Sequence, residues 1–310
     1  MSLQNVLLRQ YLTHRIKRRL KDDLSFEVMR RELDEAIATY MPPPPDGIEI
    51  EAIEGSVAGE RVRARGGAAD LTVLYFHGGG FVMGSPASHR GVASALAREV
   101  GCEVLVPRYR LAPEHPYPAA LDDAQRAYDW ALAQGIDPCR LVIAGDQAGA
   151  WLAFALLLRL RATGAPMPAA GVALSPLVDL TLSAPSIADN ARCDPAGTAE
   201  ALRRCVDAFA PPRGRGSAAL SPLFADLKGL PPCLIQVSTI ELLRDDARRM
   251  TSALERADVP VTLSEWSKVS SMWHIFAAGL PEARDAIRAI GTFLRDTARH
   301  APGKIPNAAR

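Results

Sequence analysis

Four short stretches of the sequence hold residues able to do chemistry on a carbonyl group. Residues 77–81 read His77-Gly78-Gly79-Gly80-Phe81 directly after the apolar run Leu71–Phe76. Three successive glycines let the main chain approach a bound group without side-chain interference. Backbone N–H groups presented there suit a developing oxyanion, although such a turn also serves phosphate binding or simply a tight loop. Residues 145–150 read Gly145-Asp146-Gln147-Ala148-Gly149-Ala150, between the apolar run Leu141–Gly145 and an Ala/Leu-rich helical pattern. A turn this tight displays its central residue, and that residue is an amide, which hydrogen-bonds but forms no acyl intermediate. Glu241 follows the apolar run Cys233–Ser238 and opens a helical stretch, where a carboxylate is favoured by the helix dipole. The segment Ser271-Met272-Trp273-His274-Ile275-Phe276 adds a hydroxyl and an imidazole.

These stretches need rigid elements to bring them together. From residue 71 onward, short apolar runs alternate with Ala/Leu-rich helical patterns, which predicts a largely parallel sheet with helices on both faces. Buried strands are expected at Leu71–Phe76, Glu103–Pro107, Leu141–Gly145, Gly171–Leu174, Cys233–Ser238 and Val259–Trp266. The clearest helical patterns are Ala119–Ala133, Ala148–Arg161, Arg244–Ala257 and Glu282–Ala298. The segments IEIEAIEG and ERVRARG alternate at period two, as a solvent-facing hairpin at the sheet's edge would. Each candidate group therefore falls at or just after the carboxyl end of a strand. The expected layout is an N-terminal helical cap region over 1–46, a main domain over 47–300 and a flexible tail over 301–310. The Pro-rich connector MPPPPDG spans 41–47. A long insertion over about 180–220, helical near Glu200–Phe209, is placed to form a lid or part of a binding site.

Composition narrows the function classes. The chain has 310 residues, 48% hydrophobic and 23% charged, enough for a substantial core. Thirty-six basic against 35 acidic residues leave a net charge of +1, which gives no global attraction to nucleic acid or to an acidic membrane. Small-molecule chemistry is the expectation. Five scattered cysteines without a Cys-x-x-Cys pair read as free thiols, with no metal site and no cofactor implied. The first residues hold only a short apolar run before the basic cluster His14–Lys21, so neither a signal peptide nor a membrane span is read there. The localisation expected is cytoplasmic. The N-terminal segment, with Val6, Leu7, Leu8, Tyr11, Leu12 and Ile16 roughly on one face, is read as an amphipathic helix packed on its own domain, its basic face in water. A membrane-surface helix is the alternative.

The blocks HGGG at 77–80, YRLAPEH at 109–115 and GDQAGA at 145–150 occur in the order seen in the hormone-sensitive-lipase family of α/β-hydrolases, and the chain resembles that family from about residue 25 to 297. Further segments such as SPLVDLTLS, SPLFADLKGLPPCLIQV and ELLRDDARRM look like family segments too. The resemblance implies the α/β-hydrolase fold, a mostly parallel central sheet flanked by helices, with a helical cap built from the N-terminus and an insertion. It also implies a Ser-Asp/Glu-His triad. Gln147 stands where the family's serine belongs and Ala150 where it has a glycine. Glu241 matches the acid. The histidine's place, five residues after Trp266 and ten before Pro281, falls on Ser271; a competing register puts His274 there, and otherwise His274 is a packed, non-catalytic histidine. SKVSSM lacks the family's Pro-Gly-Met run, Ser238 replaces a glycine and Arg108 an aspartate.

The resulting expectation is a catalytically degenerate family member that has lost ordinary serine-esterase chemistry. Its oxyanion hole would be formed by the N–H groups of Gly78, Gly79 and Ala148, with His77, Phe81, Asp146 and His274 lining the pocket. The favoured reading is a non-hydrolytic catalyst for cyclisation, elimination or isomerisation of a carbonyl compound. The alternatives are a ligand-binding pseudoenzyme, as in plant hormone receptors that look like this family, and slow ester hydrolysis by a water held among Gln147, Ser271 and Glu241. The expected partner is a small hydrophobic carbonyl- or carboxylate-containing ligand, with no nucleic acid and no membrane. Homodimer formation through an edge strand is a family trait that the resemblance brings with it.

Overall fold

A computed structural model describes residues 1–19, 24–40, 43–66, 69 and 71–300. The strands are β1 (Ile48–Ile53), β2 (Gly59–Ala64), β3 (Thr72–Phe76), β4 (Glu103–Pro107), β5 (Leu141–Asp146), β6 (Ala170–Leu174), β7 (Cys233–Ser238) and β8 (Val261–Trp266). The helices are α1 (Leu3–Tyr11), α2 (Lys17–Arg19), α3 (Phe26–Tyr40), α4 (Arg90–Val100), α5 (Ala119–Ala133), α6 (Ala148–Thr163), α7 (Ser186–Asp189), α8 (Ala199–Phe209), α9 (Arg244–Arg256) and α10 (Pro281–His300). The tail expected over 301–310, and Met41 and Pro42 of the connector, lie outside the described residues.

The eight strands form one sheet in the order β1-β2-β4-β3-β5-β6-β7-β8. β1 and β2 pair antiparallel in register Ile50 to Val62, β2 runs antiparallel to β4, and every pairing from β4 to β8 is parallel. Parallel strands need crossover helices on the sheet's faces, so β3, β5, β6 and β7 are buried throughout. β2, next to the edge strand β1, keeps its arginines half in water, and Arg63 pairs with Glu49 and Glu51 across the hairpin. Two apolar layers result. One packs α5, α6, α8 and α9 against one face, and the other packs α4 and α10 against the opposite face. Ligand crevices in such sheets open at the carboxyl ends of the strands.

α6 contains the most uniformly apolar helical sequence in the chain, AGAWLAFALLLRLRAT, and Ala148 to Leu157 are all buried. It runs under the sheet between α5 and α9 and ends at Gly164, whose φ of 67° reverses the chain. The segment between β6 and β7 carries α7 and α8. Phe209 and Cys205 of α8 pack on the glycine turn: the Phe209 ring stacks on Phe81 at 3.7 Å, and a Cβ on Gly80 would lie 2.8 Å from the Cys205 sulfur. From the other side, Arg30 of α3 donates to the carbonyls of Val82 and Ala112 and forms a two-pronged ion pair with Glu114.

α1 differs from its amphipathic expectation. Ser2 caps it and binds Glu282 of α10 through both its N–H and its hydroxyl. Asn5, Leu8 and Leu12 face the protein, whereas Leu7 and Tyr11 turn outward with Leu3. The apolar residues are thus split between two faces, because docking on α10 and on the loop after β8 fixes the helix's rotation. No helix among the described residues is long and apolar enough to cross a membrane.

Candidate active site

β5 and α6 meet at a turn that few sequences tolerate. Gln147 sits between them at φ 50° and ψ −109°, a costly backbone for a residue with a Cβ. The turn requires glycine on both sides: a Cβ on Gly149 would fall 1.9 Å from the Phe76 carbonyl oxygen, and one on Gly145 would fall 2.4 Å from the Gly149 carbonyl. The backbone is pinned as well. Gln147 N–H donates to the Leu174 carbonyl, and its own carbonyl accepts from the N–H groups of Trp151 and Leu177. Between residues 141 and 150, Gln147 alone is not buried. The elbow therefore displays this one side chain, as the spacing of its glycines implied.

The amide of Gln147 does not point away from the glycine turn. Its Oε1 accepts hydrogen bonds from the N–H groups of Gly79, at 3.1 Å, and Gly80, at 3.0 Å. Two converging N–H donors at this distance have the geometry that an oxyanion hole requires, and here they hold an amide carbonyl oxygen. Ala148 opens α6, so its N–H is one of the four that a helix leaves without an internal acceptor. The expected donor Gly78 is engaged elsewhere: its N–H lies 3.0 Å from Asp146 Oδ1 and faces His89 Nε2. Gly80, part of the same quoted block, takes the place that the sequence reading gave to Gly78.

Three of the expected pocket residues build this turn instead of lining a cavity. Asp146 Oδ1 accepts from Tyr75 and Gly78 and lies 3.2 Å from His89 Nε2. Burial opposes its charge, but His89 and these donors prevail and hold its pKa below the ordinary value. His77 is buried, stacked on Tyr109 at 4.2 Å, and its pKa falls to about 3 through burial and the neighbouring His89. A ring that stays neutral at physiological pH, with Nδ1 against the Gly78 carbonyl, is a wedge under the loop. Phe81, at φ 68°, sits between Phe209 and the edge of Trp151, and Tyr117 meets Trp151 edge-on at 6.1 Å. These rings pack the glycine turn against α6 and α8.

The acid side is built differently. Glu241 is fully buried after β7, and its Oε2 accepts from Ser238 N–H at 3.0 Å and from the Ser175 hydroxyl at 2.9 Å. Ser175, at φ 46° after β6, in turn accepts from Met272 N–H at 3.1 Å. Ser175 thus joins the acid to the loop that carries Ser271. Glu241 Oε1 is buried without a hydrogen-bond partner. Burial, with the nearby Asp194 adding to it, raises the carboxyl's pKa well above the ordinary range. Ser271 is half-buried beside Met272, and its hydroxyl has no hydrogen-bond partner among the described residues.

His274 is not brought to this group. Its Nε2 lies 2.7 Å from Gln236 Oε1, Gln236 donates onward to the Ala286 carbonyl of α10, and the ring packs on Trp273 at 3.9 Å. Burial lowers its pKa to about 3. The residue belongs to the α4/α10 layer, where an imidazole of this kind serves as a packed, neutral hydrogen-bonding group.

A sequence profile described as alpha/beta hydrolase fold matches residues 73–278. An acetyl-hydrolase from Streptomyces hygroscopicus is 45% identical over 225 residues, covering 72% of this chain and 75% of that protein. The chain belongs to the hormone-sensitive-lipase family of α/β-hydrolases. An esterase from Acinetobacter venetianus is 36% identical over 277 residues, 87% of this chain and 89% of that protein. The crystal structure of an esterase from the bacterial hormone-sensitive lipase family superposes with a TM-score of 0.90 at 38% identity, covering 96% of this chain and 99% of that one. These relatives correct the expectation of a degenerate, non-hydrolytic catalyst or a binding pseudoenzyme. Proteins similar over most of their length are named acetyl-hydrolase and esterase, and ordinary hydrolase function is the direction in which family membership points.

Proposed function

We propose that this family member acts on carboxylic esters, hydrolysing them at the carbonyl held by the N–H groups of Gly79 and Gly80. The observation that supports the reading is the Gln147 carbonyl oxygen seated between those two donors, as an acyl oxygen would be. In the same reading Gln147 stands in the nucleophile's place, Glu241 in the acid's and Ser271 in the histidine's. An amide cannot form an acyl intermediate, so water attacks the carbonyl directly once the Gln147 side chain yields the hole to the substrate. The Ser271 hydroxyl and Gln147 amide orient that water. Glu241, linked to the same loop through Ser175 and Met272, accepts its proton. On collapse of the tetrahedral intermediate the bond from the carbonyl carbon to the alkoxy oxygen breaks, the alcohol leaves with that proton returned by the Glu241 carboxyl, and the acid product keeps the water's oxygen and second proton.

The pH dependence follows from the state of the acid. A carboxyl whose pKa lies well above the ordinary range keeps its proton where other carboxylates have lost theirs. It becomes a base only as the pH rises through that raised value, so turnover increases toward alkaline pH. Initial rates with p-nitrophenyl acetate and butyrate test this. The wild-type protein should exceed the buffer blank with a rate that climbs with pH, and Glu241→Gln should abolish the climb. A wild-type rate equal to the blank at every pH removes the proposal, as does a climb that Glu241→Gln leaves intact.

A further inference from the structure

Five large apolar side chains are exposed among the described residues, and four of them, Met1, Leu3, Leu7 and Tyr11, lie at the N-terminus on or beside α1. Leu3, Leu7 and Tyr11 recur at four-residue intervals and form one stripe, with Leu3 71% and Leu7 57% exposed. Below Tyr11 the helix passes into a π turn over Leu12–Ile16. Its wider winding slows the advance per residue, which keeps Arg15 on the line of the stripe. Arg15 and Arg18 are exposed and have no ion-pair partner among the described residues, whereas Lys17 is turned inward to the carbonyls of Ala191 and Asp194 and Arg19 pairs with Glu32. Residues 1–19 contain no acid.

We infer that α1 is an interfacial helix that docks on an anionic lipid surface. A water-facing apolar stripe running into arginines that have no ion-pair partner among the described residues matches the layered chemistry of such a surface, with acyl chains below and phosphates above. The opposite face explains why the stripe stays outward. Ser2 to Glu282, Asn5 Nδ2 to the Lys268 carbonyl, and buried Leu12 lock the helix's rotation. Those anchors also place it beside the ester site. Lys268 begins the loop that carries Ser271, and Lys17 binds Asp194, whose carboxylate accepts from the N–H of Leu242 next to Glu241. A docked helix would therefore set the site at the edge of a lipid layer, whether or not the water mechanism holds. The inference runs against the sequence-based expectation of no membrane partner, and the two are separated by vesicle binding.

Flotation of the full chain with vesicles tests the inference independently of ester turnover. The wild type should bind vesicles of phosphatidylglycerol with phosphatidylcholine, bind phosphatidylcholine alone much more weakly, and release in high salt. Leu3→Ser with Leu7→Ser should lower binding at least ~10-fold, and Arg15→Ser with Arg18→Ser about 30-fold. All four positions are exposed, and unchanged thermal melts would confirm that the variants fold. Failure of the wild type to bind either vesicle overturns the inference. So does a wild-type dimer that Leu7→Ser converts to a monomer without any vesicle binding, which would assign the stripe to a second copy of the chain.

Discussion

The elbow after β5 and the loop after β8 sit at the same end of one sheet, and they differ in how completely their polar groups are satisfied. At the elbow, Asp146 has three partners, Gln147 has both donors of the glycine turn, and the backbone is closed by Leu174, Trp151 and Leu177. Around the loop, Glu241 Oε1, Ser270 Oγ, Trp273 Nε1 and His274 Nδ1 are all buried without a partner. Buried polar groups are nearly always paired, so the imbalance is informative. The elbow's polar groups close around a glutamine, while the loop side keeps a carboxyl with one oxygen idle. On the proposed function these would be the carbonyl-binding and the proton-handling parts of one site.

The largest expected effect comes from repairing both halves together. Gln147→Ser with Ser271→His should raise p-nitrophenyl ester turnover by at least ~10³-fold over the wild type, because nucleophile and base act as a unit and neither substitution alone gives much. Equal gains from Gln147→Ser alone would break the comparison by showing that the loop already contains a base. A smaller effect should follow from damaging the satisfied half. Gly149→Ala drives a methyl group into the Phe76 carbonyl, and urea denaturation should show a loss of about 3 kcal/mol, with a turn that can no longer close. The smallest concerns the idle oxygen. The folded carboxyl of Glu241 titrates above the unfolded one, because burial and Asp194 disfavour its charge. Its contribution to stability is therefore full below the ordinary carboxylate range and is lost as the pH rises through the raised value. Glu241→Gln stays neutral throughout, so its melting temperature should fall less than that of the wild type as the pH rises from the ordinary carboxylate range through the raised value. Parallel falls would mean that Glu241 is already ionised in the fold.

Much of this was legible in the sequence. The strand runs at 103–107 and 233–238 and the helical pattern at 119–133 match the observed elements residue for residue, because fully buried parallel strands and Ala-rich helices carry dense apolar signals. Gln147 at the elbow was legible from Gly145 and Gly149. The direction of its amide was not, since nothing local says whether a side chain turns into the glycine turn or away from it. Gly80 was missed in favour of Gly78 for a related reason: which N–H is free depends on Asp146, 68 residues away. Ser175 gave no signal, because its role rests on contacts with Glu241 and Met272 that only the folded sheet creates. His274 shows the same limit, its ring nitrogen being fixed by Gln236 of β7 and the backbone of α10.

The Phe81–Phe209–Trp151 stack joins three segments far apart in the chain: the glycine turn, the insertion helix α8 and the first turn of α6. Trp151 is thereby an optical sensor wired to the glycine turn. Its indole N–H is fixed to the Leu220 carbonyl, and its edge reads the two stacked phenyl rings. An acyl group that enters beside Gln147 and disturbs those rings should change the emission of this one indole, obtained by difference from Trp151→Phe, even if not a single ester bond is cleaved.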